Sequence, residues 1–85
     1  MPTLTFNYQQ IEPQIRQALY NAIGPHIAIG TEEVDNGRVL VKVVATEFNG
    51  LSAKAKQDVV WDALHGLGAN AQAVAIALAF GTDEI

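Results

Sequence analysis

Chemistry in this chain has to come from a short inventory of side chains. There are two histidines, His26 and His65, no cysteine, and nine carboxylates, of which Glu32, Glu33 and Asp35 crowd into the segment GTEEVDNG. Without a thiol the chain makes no disulfide, no thiolate metal site and no cysteine nucleophile. Neither histidine has a second imidazole or a thiol near it in sequence, so both read as solvated or capping residues, and no metal site is expected. A glycine-rich phosphate loop is missing, as is a Ser-His-Asp set with recognisable surroundings, so no catalytic residue and no enzymatic activity are expected. What remains is binding chemistry. Trp61, with Asp58 three residues before it and His65 four after, either closes the edge of the core or serves as a binding hot spot. Lys54 and Lys56 cluster on one short segment, and the stretch NAQAVAIALAF at 70–80 sets alanine at every odd position from Ala71 to Ala79.

The chain has 85 residues, 49% of them hydrophobic and 16% charged. That is one small domain, 1–85, apolar enough to fold. Nine acids against five bases give a formal charge of −4. Such a field repels phosphate, which argues against nucleic acid as a partner. The opening MPTLTFNYQQ lacks the basic flank and apolar run of a signal peptide. The longest apolar run, 73–80, is too short to span a bilayer. The expectation is a soluble, cytoplasmic protein with no membrane partner.

The elements that must position these residues follow from periodicity. In IEPQIRQALYNAIGPH the apolar residues Ile11, Ile15, Ala18, Leu19, Ala22 and Ile23 recur at helical spacing. Pro13 suits a first turn, and Gly24 with Pro25 ends the element, which places a helix at about 12–23. HIAIGTEEV and RVLVKVVATEF flank Asp35-Asn36-Gly37, residues that tolerate positive φ, and read as a hairpin. In its second strand Val39, Val41, Val43 and Ala45 share one face, and Arg38, Leu40, Lys42 and Val44 the other. Ser52 is a candidate N-cap for a helix at about 53–66, with Val59, Val60, Ala63, Leu64 and Leu67 as its buried stripe. Strict alternation makes AQAVAIALAF a third strand although alanine favours helices. Its bulky residues Val74, Ile76, Leu78 and Phe80 are expected to face the helices, and its alanines to face away.

This order resembles the BolA-like family from about Ile11 to Ile76. IEPQIRQAL followed by HIAI looks like the family's first helix and its entry into the first strand. VLVKVVATEFNGLS looks like the second strand followed by a Phe-x-Gly-x-Ser turn, here Phe48, Gly50 and Ser52. KQDVVWDAL is in register with the family's Arg-His-Arg-x-Val-x-x-x-Leu helix, with Lys56, Val60 and Leu64 at matching positions. The terminal TDEI is similar to the family's Thr-Pro-Glu-Glu-Trp ending, about two residues late. The resemblance implies an α+β, KH-like fold of order helix-strand-strand-helix-strand, its three-stranded sheet covered by helices on one face.

The resemblance also implies a non-enzymatic adaptor or regulator that partners a monothiol glutaredoxin and shares an iron–sulfur cluster, with roles in iron or stress regulation. Here the family's signature histidine falls on Gln72, and the loop between the first two strands offers only Glu32, Glu33 and Asp35 where a Cys or His would ligate. An amide is a poor iron ligand beside imidazole or thiolate. An atypical member with its own cluster ligands missing, and no cofactor, is the expectation. Docking is then expected on Gln72, Lys54, Lys56 and Trp61. The expected open sheet face of Leu40, Val44, Ala73, Ala75 and Ala77 is a second candidate, for a homodimer or another partner. A DNA-associated regulator is the rival reading; it requires Arg38, Lys42, Lys54 and Lys56 to assemble a basic patch, and the KH Gly-x-x-Gly clamp is absent.

Overall fold

The computed structural model of the chain describes residues 6–84, so half of the N-terminal stretch read for a leader lies outside the described residues. Helix α1 runs Tyr8–Ala22, strand β1 Ala28–Glu33, strand β2 Val39–Ala45, helix α2 Ala53–His65 and strand β3 Val74–Gly81. From β1 onward short 3-10 turns join them. The sheet order is β1-β2-β3, with β1 antiparallel and β3 parallel to β2. This is an α+β fold built on a three-stranded mixed sheet. Among the described residues, no helix is long and apolar enough to cross a membrane.

Helix α1 begins four residues before the predicted start. The Asn7 side chain accepts from the Gln9 amide at 3.1 Å and supplies the N-cap. Pro13 therefore sits inside the helix. The hydrogen bond it cannot donate would have gone to the Gln9 carbonyl, and both residues are exposed, so water can take the donor's place. Ile11, Ile15 and Leu19 form the buried stripe as periodicity requires.

The hairpin turn is as expected. Asn36, at φ 57°, and Gly37, at φ 75°, both occupy the left-handed region. Gly37 has a second reason to lack a side chain, since a Cβ there would fall 1.6 Å from the Phe6 carbonyl oxygen. The Phe6 amide donates to the Asn36 carbonyl at 2.9 Å, so the segment before α1 is laid against the turn.

Helix α2 is N-capped by Ser52, whose hydroxyl accepts from the Ala55 amide at 3.1 Å. Its buried residues are Lys56, Val60, Ala63 and Leu64. Val59, predicted to be buried, is exposed, and the stem of Lys56 takes the position one turn before Val60 instead.

In β3 the period is right and the phase is reversed. Ala77 and Ala79 are buried at 7% and 9% exposure, whereas Ile76 and Leu78 stand 48% and 36% exposed. The cause is a bulge. Val39 pairs with Val74 and Leu40 with Ile76, which leaves Ala75 without a Cα partner. A single inserted residue reverses every side chain beyond it, so Val74 joins Val39 inside while Ile76 joins Leu40 outside. Small inward residues suit a strand whose covered face is already filled by Phe48, Leu64, Val60 and the α1 stripe, all in one core with Val39, Val41 and Val43.

Candidate functional site

The sheet has one covered and one open face, and register fixes which residues stand on the open one. Directly opposed residues share a face, which gives the rows Ala28, Val44, Phe80, then Gly30, Lys42, Leu78, then Glu32, Leu40, Ile76. Ala28, Gly30, Glu32, Lys42, Ile76 and Leu78 are exposed; Leu40, Val44 and Phe80 are half-buried. The Lys42 ammonium stands over the Phe80 ring, 5.4 Å from its centroid. The result is a largely apolar surface with one cation, Lys42, at its centre and one carboxylate, Glu32, at its corner.

Leu40 and Val44 are thus on the open face, as predicted, but the alanines are not. Ala73 and Ala77 are buried in the core, and Ala75 is the half-buried bulge residue. The expected alanine-rich interface is replaced by a surface of Ile76, Leu78 and Phe80.

The four residues expected to dock a partner do not form one surface. Lys54 and Lys56 begin α2, at the end of the sheet where β3 closes against the C-terminal turn. Gln72, exposed, lies in the 3-10 turn Gly68–Ala73 at the opposite end, beside the start of β3, and is not in the strand as predicted. The 13-residue helix between them spans about 20 Å. Lys56 is buried and ion-paired with Glu84, whose carboxylate also accepts from the Gly81 amide at 2.9 Å. It is a structural strut and not a free docking cation. Lys54 is exposed and paired with Asp58 at 2.8 Å. Trp61 packs half-buried against the core, and its indole N–H donates to Gln57 Oε1 at 3.0 Å. Gln57 Nε2 in turn donates to the Ala77 carbonyl of edge strand β3 at 2.9 Å.

Among the described residues Arg38, Lys42, Lys54 and Lys56 do not assemble a basic patch for nucleic acid. Arg38 is held by Asp35 at 3.1 Å, Lys54 and Lys56 are paired as above, and α2 lies across the sheet from Lys42. Nor do the residues suit an iron–sulfur cluster: the Gln72 turn and the loop at 33–37 carry an amide and carboxylates, with no imidazole or thiol in either. Among the described residues no group of three or more His, Asp or Glu could hold a metal ion. His26 is tied to Glu47 at 2.7 Å.

Sequence reasoning missed a polar relay that seats α1 on the sheet. The Tyr8 hydroxyl meets the Thr31 hydroxyl at 2.8 Å, Thr31 donates to Glu12 at 2.9 Å, and Arg16 Nε donates to the same carboxylate oxygen at 2.5 Å. Arg16 Nη1 also reaches the Ile29 carbonyl of β1 at 3.2 Å. The i,i+4 spacing of Glu12 and Arg16 was the available signal, but nothing in the sequence aims the pair at Thr31.

Arg16's hydrogen bond, then the Thr31 hydroxyl and the Arg16 charge, hold the Glu12 carboxyl below the ordinary glutamate range, against the opposing effect of its burial. A carboxylate with a depressed folded-state pKa stabilises above its unfolded value of about 4.3, and that stability is lost as pH falls through the lower folded value. Glu84, through Lys56 and the Gly81 amide, and Glu47, through its own backbone amide, act in the same direction. The melting temperature is expected to hold from neutrality to about pH 5 and to fall below it. Glu12→Gln should lower the plateau and flatten that fall. Thermal unfolding followed by circular dichroism at stepped pH decides; an unchanged slope in the variant would show that Glu12 is not a contributor.

No family model, no curated protein and no solved structure matches this chain.

Proposed function

We infer that the chain works by binding, as a protein–protein adaptor or regulator of BolA-like type, in the cytoplasm, with its own cluster ligands missing. The observation that carries this reading is the open sheet face: in so small a chain, large apolar side chains are placed outward in rows while the alanines are spent inside. A contiguous exposed apolar patch of this kind marks an interaction surface. The element order, the mixed sheet and the Phe48, Gly50, Ser52 turn support the BolA-like part of the reading. Gln72 and the carboxylate loop support the loss of ligands.

The partner to test first is a monothiol glutaredoxin. Isotopically labelled protein is titrated with the cluster-loaded glutaredoxin, and amide shifts are followed together with the cluster's visible absorption. Saturating shifts are expected with little change in the cluster spectrum, since this chain offers the iron no better ligand than glutathione or a glutaredoxin thiolate. No shift anywhere would remove glutaredoxin as the partner. A large spectral change would instead mean that a substitute ligand exists.

A further inference from the structure

Two features of the open face are not explained by the folding of the chain itself. The first is Gly30. It lies in edge strand β1, it is not among the residues of positive φ, and a Cβ placed there would meet nothing nearer than the Lys42 Cβ at 4.0 Å. Glycine weakens a strand, and a strand glycine that its own packing does not need marks close approach by another surface. The second is Lys42. The chain has five Lys and Arg residues, and Arg16, Arg38, Lys54 and Lys56 each have a carboxylate partner. Among the described residues Lys42 has none, and only the Phe80 ring lies beneath it. In water that costs nothing, but once the face is covered the ammonium has to meet an acceptor.

The geometry points to a docking site for an amphipathic helix of a partner protein, lying over Gly30 and β2 against the side wall made by Ile76, Leu78 and Phe80, with an Asp or Glu in its apolar stripe set against Lys42. This deepens the adaptor reading above and rests on it. The wall from Ile76 to Phe80 is about 13 Å long, the length of two to three helical turns. A helix fits better than an added strand, because carbonyls on both edge strands, Ile29 and Ala77, already accept from Arg16 and Gln57. A second copy of this chain fits worse. Lys42 is the central residue of the face, so a two-fold axis through that centre would set one ammonium on the other.

The test uses synthetic amphipathic peptides of about four helical turns, identical except for a Glu, Gln or Lys at the middle of the apolar stripe. Binding is read from amide and methyl shifts of labelled protein at physiological salt, where the field of the acidic chain is screened beyond about 8 Å and the local cation decides. The Glu peptide is expected to shift Gly30, Leu40, Ile76 and Leu78, and to bind at least about tenfold more tightly than the Lys peptide. Lys42→Glu should reverse that order. Gly30→Val should weaken the Glu peptide about tenfold while leaving the melting temperature unchanged or raised, since valine favours a strand. Both substitutions are on exposed positions, so neither result can be put down to unfolding.

Three results would overturn the assignment. One is a face silent to every peptide. Another is a peptide order indifferent to Lys42→Glu. The third is a stable dimer in sedimentation that buries Ile76 and Leu78 and survives that substitution, which would make a second copy the occupant. If glutaredoxin shifts only the Gln72 end while the face stays silent to the peptides, the helix site fails and the adaptor reading stands; silence in both experiments removes both.

Discussion

Phe48→Ala is expected to lower the free energy of unfolding by about 3–5 kcal/mol, the usual cost of deleting a fully buried phenylalanine. Phe48 is 1% exposed and heads the largest fully buried side chains of the core. It lies in the turn Thr46–Phe48 between β2 and α2, and that turn also contacts β3 and the C-terminal turn. The void left by its ring would therefore border several elements and could not be closed by moving one of them. A domain of this size has roughly 5–10 kcal/mol to lose. The urea midpoint should accordingly fall by about half, and Phe48→Leu, which refills most of the volume, should cost distinctly less. A midpoint within error of the unsubstituted chain would mean that the ring is not a core element.

The same three residues show what a motif carries here. Phe48 fills the core, Gly50 holds φ 80°, and Ser52 caps α2. Every position of the Phe-x-Gly-x-Ser turn is occupied by a folding requirement, so the resemblance it supports is one of architecture and not of chemistry. Local signals of this kind were legible because each is decided within a few residues: the hairpin by Asp35-Asn36-Gly37, and the start of α2 by Ser52. The start of α1 was misread because Pro13 was given more weight than the Asn7 cap; on an exposed face water can take the place of the amide the proline lacks, which makes its position inside the helix less costly.

Longer-range facts were not legible. Alternation identifies a strand but not which side of it the helices cover, and Ala75 shifts the phase without changing the composition. Lys56 and Val59 exchange expected roles for a similar reason. The lysine stem can lie in the core because Glu84, twenty-eight residues away, is there to meet its ammonium. Paired and unpaired cations look alike in a sequence, so Lys42 did not separate from Lys54 and Lys56 until their partners were known.

The reversed phase of β3 makes the sharpest prediction. Ala77→Glu is expected to destabilise the fold by about 3–5 kcal/mol, about half of what a domain of this size has to lose. Ala77 is 7% exposed, and its partner Val41 is fully buried, so a carboxylate there would enter the core with no cation to meet it. Leu78→Glu, one residue further on, should change stability by no more than about 0.5 kcal/mol, because the side chain is on the open face opposite Lys42 and gains a partner there. The two substitutions differ by one position and put the same charge on opposite faces of one strand. Urea unfolding of the pair reads the phase directly. Equal losses would mean that neither face is open, and a larger loss for Leu78→Glu would return the bulky residues to the core and remove the exposed surface on which the adaptor reading stands.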